Sequence, residues 1–146
     1  MSETGMLLPP IIDENAPFWD GCLKGELWMQ RCTETQRFIF PPRPISPWAP
    51  AATPEWTQVS GRGTIWSFVV PHPPLLPYYG ERAPYNVILV ALDEDPNLRL
   101  VGNLLASEGG EINEIDPATI EIGAAVRVVF ESVSDEIAIP RWVLDG

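Results

Sequence analysis

Proline limits this chain more than any other residue. The 146 residues contain 17 prolines, and they bunch. Pro41, Pro42, Pro44, Pro47, Pro50 and Pro54 fall in one stretch. Proline fixes φ and brings no backbone N–H, so this stretch can be neither a helix nor a central strand. The expectation is an ordered strap, pinned by Trp48 and Trp56. A second group, Pro71, Pro73, Pro74, Pro77 and Pro84, separates two strand-like runs. Gly61 to Val70 sets small or polar residues against Ile65, Phe68 and Val70, as in a strand with one buried face. Tyr85 to Leu92 is almost continuously apolar, as in a strand buried on both faces. The connection between them is too long for a tight hairpin, and it carries His72, Tyr78, Tyr79 and Arg82. Two readings suit it: a rigid contact surface, or a cover over a barrel mouth.

The remaining segments follow from local signals. Residues 1 to 12 read as a tail or extended arm. Asp13 to Asn15 supply capping residues ahead of Pro17, predicting a short helix that ends near Gly25. Leu27–Cys32 and Arg37–Phe40 form a small hairpin around Thr33–Gln36. Beyond about Glu55 come the turn Asp93–Asn97 and a strand Arg99–Leu105, in which Gly102 marks a bulge or a close approach of backbone. A solvated loop runs from Ser107 to Asp116, and Asp116–Ile120 begins one helical turn. Strands Ala125–Val133 and Ile137–Leu144 complete the chain. The layout divides into residues 1–54, with the arm, helix, hairpin and strap, and residues 55–146. Five strands with one long connection fit a partly open OB-fold barrel. A small β-sandwich fits the same count.

Charge narrows the function classes. Twenty acidic residues against nine basic ones give a net charge of -11 and a pI near 4.3. Such a chain repels phosphate backbones and anionic lipid, so neither nucleic acid nor membrane is an expected partner. A single-strand-binding OB module would need a basic groove among its aromatics, and the composition withholds it. The cations are arginines except for Lys24, which suits forked contacts to carboxylate or phosphate. Only Cys22 and Cys32 are present. Met6–Ile12 is too short and too proline-broken for a leader, so a reducing cytoplasmic setting is expected. Spacing alone leaves a Cys22–Cys32 disulfide open, and Cys22 reads as a buried apolar residue.

No catalytic residue is assigned. His72, the sole histidine, lies between Pro71 and Pro73 with no nucleophile motif around it, and a loop-anchoring hydrogen bond is expected of it. Gly61-Arg62-Gly63 opens a strand, without the lysine and helix of a phosphate loop. Its glycines are expected to serve barrel closure. Arg62, Arg82 and Arg99 could meet phosphates or acidic groups of a partner, or form ordinary ion pairs. The binding candidates are Trp66, Phe68, His72, Tyr78, Tyr79, Arg82 and Tyr85. Tyrosines give large contact areas at low entropic cost. Trp66 and Phe68 are expected on opposite faces, one in the core and one free for a partner.

The ordered series PFWDGCLKGELWMQRC, RFIFPPRP, SGRGTIWSFVV, APYNVILVALDE and the final strand pair ending in IPRW resembles the OB-fold acyl-CoA-associated proteins. These carry an N-terminal helix and a rubredoxin-like zinc ribbon, and form a domain-of-unknown-function family. The resemblance spans Pro17 to about Val143. It implies a five-stranded OB-fold barrel behind a helix and a ribbon-like hairpin and strap. It also implies a non-catalytic companion of a thiolase-like enzyme, within a hetero-oligomer. Archaeal members help hold coenzyme A in thiolase–synthase assemblies. Others pair with a lipid-transfer-protein-like aldolase of steroid side-chain degradation, which cleaves a hydroxyacyl-CoA by a retro-aldol step. Acyl-CoA would then be a shared ligand of the complex. The competing classes are a freestanding OB module for acyl-CoA or single-stranded nucleic acid, and an independent thioester hydrolase.

This sequence departs from the family at the metal. Of the two Cys-x-x-Cys knuckles, Cys32 keeps one position; the others hold Thr35, Ser46 and Ala49. One thiol does not make a tetrahedral zinc site, so no zinc is expected. The strap is instead expected to be held by packing of Phe38, Phe40, Trp48 and its prolines.

Overall fold

The structure, a computed structural model, describes residues 5–146. The expected tail therefore lies partly outside the described residues. Helix α1 (Ala16–Leu23) starts where expected, with Pro17 in its first turn. The turn before it is closed by Asn15, whose Oδ1 accepts from the Ile12 N–H at 2.9 Å. Strands β1 (Leu27–Arg31) and β2 (Phe38–Ile39) form the anticipated hairpin. A strand that the sequence reading does not name, β3 (Glu55–Val59), pairs antiparallel with β1 along its whole length. The first sheet thus has the order β2-β1-β3, and residues 55–59 complete it from beyond the strap.

The second sheet is the barrel. It contains β4 (Arg62–Val69), β5 (Val87–Leu92), β6 (Asp95–Gly102), β7 (Ala125–Ser132) and β8 (Ala138–Leu144). Its order is β6-β5-β4-β7-β8, all pairs antiparallel. The two edge strands come together beyond β6: Leu104 bridges to Trp142, and the Leu105 N–H donates to the Trp142 carbonyl at 2.8 Å. Closure of this kind makes a barrel and removes the sandwich alternative. Proline again marks the edges, with Pro96 in β6 and Pro140 in β8, where a missing N–H leaves no ladder bond unmade.

Strand β6 begins four residues earlier than expected. The turn shrinks from Asp93–Asn97 to the two residues between Leu92 and Asp95, which pair across it. Glycine sets two close approaches. A Cβ at Gly63 would collide with the Ala91 carbonyl oxygen of β5, and one at Gly102 would lie 2.6 Å from the Trp142 ring. The short helical turn appears as a 3-10 turn at Pro117–Thr119, with the Asp116 carboxylate accepting from the Ala118 N–H at 3.0 Å.

One hydrophobic core joins the two sheets. Phe18 and Cys22 from α1, Leu27 and Met29 from β1 and Val59 from β3 meet Ile65, Val90, Leu100 and Trp142 of the barrel. Trp142 is fully enclosed, and burial of so large a ring contributes several kcal/mol, at about 25 cal/mol per Å². Among the described residues no helix is long and apolar enough to cross a membrane.

Candidate functional site

The outer face of β4, β5 and β6 is the surface that the fold leaves open. Paired residues share a face, so Ser67, Leu89 and Val101 form one row across the three strands. Val69 and Val87 form the next row. Trp66 is 51% exposed, Val69 59% and Val101 69%. Phe68, in contrast, packs against the core. Residues two apart in an unbroken strand would point the same way. A β-bulge between Ile65 and Ser67 resets the alternation, so Trp66 faces out and Phe68 in. The expected opposition of these two residues therefore holds, and the bulge is its cause.

The proline-rich loop lies beside this face. It contains a single helical turn, α2 (Pro77–Gly80). Tyr78 and Tyr85 are buried, at 8% and 6% exposure, and only Tyr79 is half-buried. The rings are chained, Tyr78 to Tyr79 at 5.0 Å and Tyr79 to Tyr85 at 5.6 Å. Burial raises the Tyr78 and Tyr85 phenols above their ordinary pKa. Arg82 is occupied too. Its guanidinium sits 3.6 Å from the centre of the Tyr78 ring and donates to the Tyr78 carbonyl at 2.8 Å. These side chains fasten the loop. His72 does not: it is exposed and makes no hydrogen bond among the described residues, contrary to the anchoring role expected of it. The prolines on either side already fix the backbone there.

A polar spine that the sequence reading missed ties the loop to the barrel. The Asn86 carboxamide, fully buried, donates to the Leu104 carbonyl at 2.9 Å and accepts from its N–H at 2.7 Å. Asn103 donates to the Asn86 carbonyl at 2.6 Å. Its own Oδ1 accepts from Arg141, which also grips Glu131 with two N–H donors at 2.8 and 3.0 Å. The only sequence signal was polar residues inside apolar runs, at Asn86, Asn103 and Arg141.

Where β6 and β8 face each other, a mainly apolar cavity of about 500 Å³ opens. Tyr79 and Tyr85 reach it from the loop, Phe18 and Trp19 from α1, and Arg99 and Arg141 supply its charged wall. Loop, seam and outer sheet face thus converge on one side of the barrel. Of the binding candidates, this brings together Trp66, Tyr79 and Tyr85. Phe68, Tyr78 and Arg82 lie beneath or beside them, and His72 stands apart.

The hairpin and strap form the second region of interest. Gln30, buried in β1, clamps the strap by donating to the Arg43 carbonyl at 2.9 Å and accepting from its N–H at 2.7 Å. Trp48 and Phe40 are about 40% exposed, so they contribute less to holding the strap than expected. Both cysteines are free thiols and both are enclosed. Desolvation pushes the Cys22 thiol up to about 12. Hydrogen bonds from the Ser46 and Thr35 hydroxyls, and from the Thr35 and Glu34 backbone, draw Cys32 down to about 7.

Comparison with known proteins places these features. The model of the ChsH2 C-terminal OB-fold domain matches residues 56–131, more than half of the chain. That of the ChsH2 rubredoxin-like zinc ribbon domain matches residues 19–45. The chain belongs to the ChsH2 family. It is 34% identical over 140 residues to the 3-oxo-4,17-pregnadiene-20-carboxyl-CoA hydratase alpha subunit of Mycobacterium tuberculosis (strain ATCC 25618 / H37Rv). The match covers 95% of this chain and 39% of that protein, so the chain spans about two fifths of the relative's length. A chain of the solved Ltp2-ChsH2(DUF35) aldolase superposes with a TM-score of 0.77 at 29% identity, covering 94% of this chain and 98% of that one. A DUF35-family protein of unknown function from Sulfolobus solfataricus shares the fold, with a TM-score of 0.57 at 10% identity over 91% and 86% of the two chains.

The ribbon match implies zinc, and the residues present do not fit it. Cys32 meets two neutral hydroxyls, Ser46 and Thr35, and packs in a small cluster with the methyl of Ala49. Ser46 is fully buried, and its Oγ accepts from the Trp48 and Ala49 N–H groups, both at 3.3 Å. A thiol, two hydroxyls and a methyl lack the thiolates of a closed tetrahedral site. Among the described residues no group of three or more His, Cys, Asp or Glu is placed to hold a metal.

Proposed function

We propose that this chain is a non-catalytic companion subunit of a thiolase-like enzyme acting on acyl-CoA. The partner's reaction is a retro-aldol cleavage of a steroid side-chain hydroxyacyl-CoA. One observation carries the reading: an aromatic and aliphatic sheet face, centred on Trp66 and Val101, stands uncovered beside a rigid loop. Apolar patches of this kind mark interaction sites. Support comes from the match over almost the full length of a chain in the Ltp2-ChsH2(DUF35) aldolase. In this reading, the companion shields the partner's acyl-CoA entrance, and the seam cavity takes up part of the apolar acyl group. Acyl-CoA is then a ligand shared by two polypeptides.

The test is co-expression with a lipid-transfer-protein-like thiolase homologue from the same organism. The two chains are expected to co-purify and to cleave a hydroxyacyl-CoA together. Trp66→Ala with Val101→Ser should reduce association at least tenfold while leaving the melting temperature of the chain nearly unchanged. Cleavage by the isolated chain, or co-purification untouched by the double variant, overturns the reading. Tyr78 is unsuited to this test because its burial makes its removal a stability experiment.

A further inference from the structure

One cation at the edge of the open sheet face has no partner inside the chain. Arg62 reaches Asp145, Arg82 reaches Glu81 and Glu111, and Arg141 reaches Glu131. Arg99 of β6 makes neither an ion pair nor a hydrogen bond with its side chain among the described residues. It stacks instead, with its guanidinium 4.0 Å from the centre of the Trp66 ring.

The register puts Arg99 on the outer face. It pairs with Ala91, which pairs with Thr64, and the neighbouring row is Ser67, Leu89 and Val101. Alternation sets Arg99 on the same side as Val101, two residues further along β6. Trp66, turned outward by the bulge, lies between the two rows. Arg99 therefore stands at the border of the apolar patch, where the sheet face meets the seam cavity. Its Nε is buried without an acceptor, a loss that a structure ordinarily avoids. Its terminal nitrogens also lack an acceptor, but they are not enclosed. Stacking fixes the plane of the guanidinium, and burial of Nε fixes which edge points outward. The chain thus holds one cation in a set orientation, with its terminal donors open.

On the companion-subunit reading, we propose that Arg99 is the charged anchor of this face. The thiolase-like partner covers Trp66 and Val101 with aliphatic surface and brings one aspartate or glutamate to the Arg99 terminal nitrogens. A carboxylate suits that edge, because its two oxygens accept two parallel N–H bonds from one guanidinium. Covering the face removes water from the pair, which strengthens a charge-assisted bond. A partner without the acid would enclose an unanswered cation, so Arg99 also selects among partners. A second copy of this chain does not fit. The paired rows of the face contain no carboxylate, so two copies joined face to face by a two-fold axis would leave each Arg99 unanswered. Two chains of net charge -11 also repel each other.

The experiment measures the Kd between the full-length chain and the thiolase-like homologue of the same organism, at about 50 mM and about 500 mM NaCl. Arg99→Gln is expected to weaken association at least about thirtyfold. Arg99→Lys should weaken it at least about tenfold, because an ammonium keeps the charge and loses the fork. Neither should lower the melting temperature of the isolated chain by more than about 3 °C. The higher salt should weaken the native pair more than the Arg99→Gln pair. Neutralising the partner's surface acids one at a time should find one whose loss matches that of Arg99→Gln and adds nothing to it. Arg99→Gln that binds within about threefold of the native chain, while Trp66→Ala with Val101→Ser still weakens association, overturns the anchor and leaves the companion reading standing. Equal salt dependence of the two pairs, or no acid coupled to Arg99, does the same. Self-association of the native chain that Trp66→Ala with Val101→Ser abolishes would assign the face to a second copy, and overturns the proposal too. A native chain that does not associate with the homologue removes the companion reading and the anchor together.

Discussion

The strap and the aromatic loop are the two proline-rich irregular segments of this molecule, and they are held in different ways. Each has a buried carboxamide that makes two hydrogen bonds to a distant backbone, Gln30 to Arg43 and Asn86 to Leu104. Around Asn86 the polar groups continue into Asn103, Arg141 and Glu131, with the rings of Tyr79 and Tyr85 packed together beside them. Around the strap there is instead a thiol–hydroxyl cluster of Cys32, Thr35 and Ser46, packed on Ala49. The loop is fixed by a chain of buried hydrogen bonds, whereas the strap is fixed by one carboxamide clamp and a small cluster packed around a thiol. Irregular backbone thus needs an internal anchor, and the two segments meet that need with different chemistry.

The sharpest break of this comparison is to build a metal site into the strap. The triple variant Thr35→Cys, Ser46→Cys, Ala49→Cys surrounds Cys32 with three further thiols. It is expected to take up one zinc per chain by elemental analysis, and its melting temperature should fall on chelation, since ribbon metal couples directly to folding. The native chain is expected to purify without zinc and to ignore chelators. A triple variant that stays metal-free would mean the knuckle geometry has been lost along with its cysteines.

Next in size is removal of the clamps themselves. Asn86→Ala leaves the Leu104 N–H and carbonyl buried without partners, at a cost of about 3 kcal/mol. Gln30→Ala should cost about half as much, because Arg43 is exposed and its freed backbone can reach water. Urea midpoints at unchanged m-value measure both. Equal losses would show that solvent access does not separate the two regions.

Much of the fold was legible because it follows from local rules. Asn15 and Pro17 start the helix, proline excludes regular structure from 41–54, and alternating or continuous apolar runs mark the barrel strands. Other features need the third dimension. The five residues of β3 carry only Trp56 and Val59 as apolar signal, and they become a strand because β1 offers them an edge. The bulge that turns Trp66 outward is a property of the pairing with β5. The candidate site was half legible: the tyrosines were visible as aromatics, but their burial depends on Asn86 and Asn103 fastening the loop. Arg99, grouped at first with Arg62 and Arg82, pairs with no carboxylate among the described residues and stacks on Trp66 instead.

The two thiols give a pH test of the same contrast. Cys22 titrates near 12 when folded and near 9 when free, so from pH 9 upward the unfolded chain alone loses protons. Stability should therefore fall through that window, by at most about 1.4 kcal/mol per pH unit, and Cys22→Ala should flatten the fall. Cys32 runs the other way. Its folded value is near 7 against 9 when free, so its contribution is complete above pH 9 and fades as pH drops through 7. Cys32→Ala should remove a rise between pH 7 and 9 and leave the alkaline fall intact. Identical profiles for the two variants would refute the assignment of opposite environments.

The smallest effect on the fold is expected where the largest effect on association is claimed. Trp66 lies half in solvent, stacked with Arg99 at 4.0 Å, and its removal deletes one exposed cation–π contact and little core packing. Trp66→Ala should therefore cost under about 1 kcal/mol of stability. Tyr85→Ala, in the seam and buried, should cost about 3–5 kcal/mol, as truncation of an enclosed aromatic does. The ratio of the two separates display from support. If Trp66→Ala destabilises the chain as much as Tyr85→Ala, the sheet face is part of the barrel's own packing and is not free to meet another polypeptide.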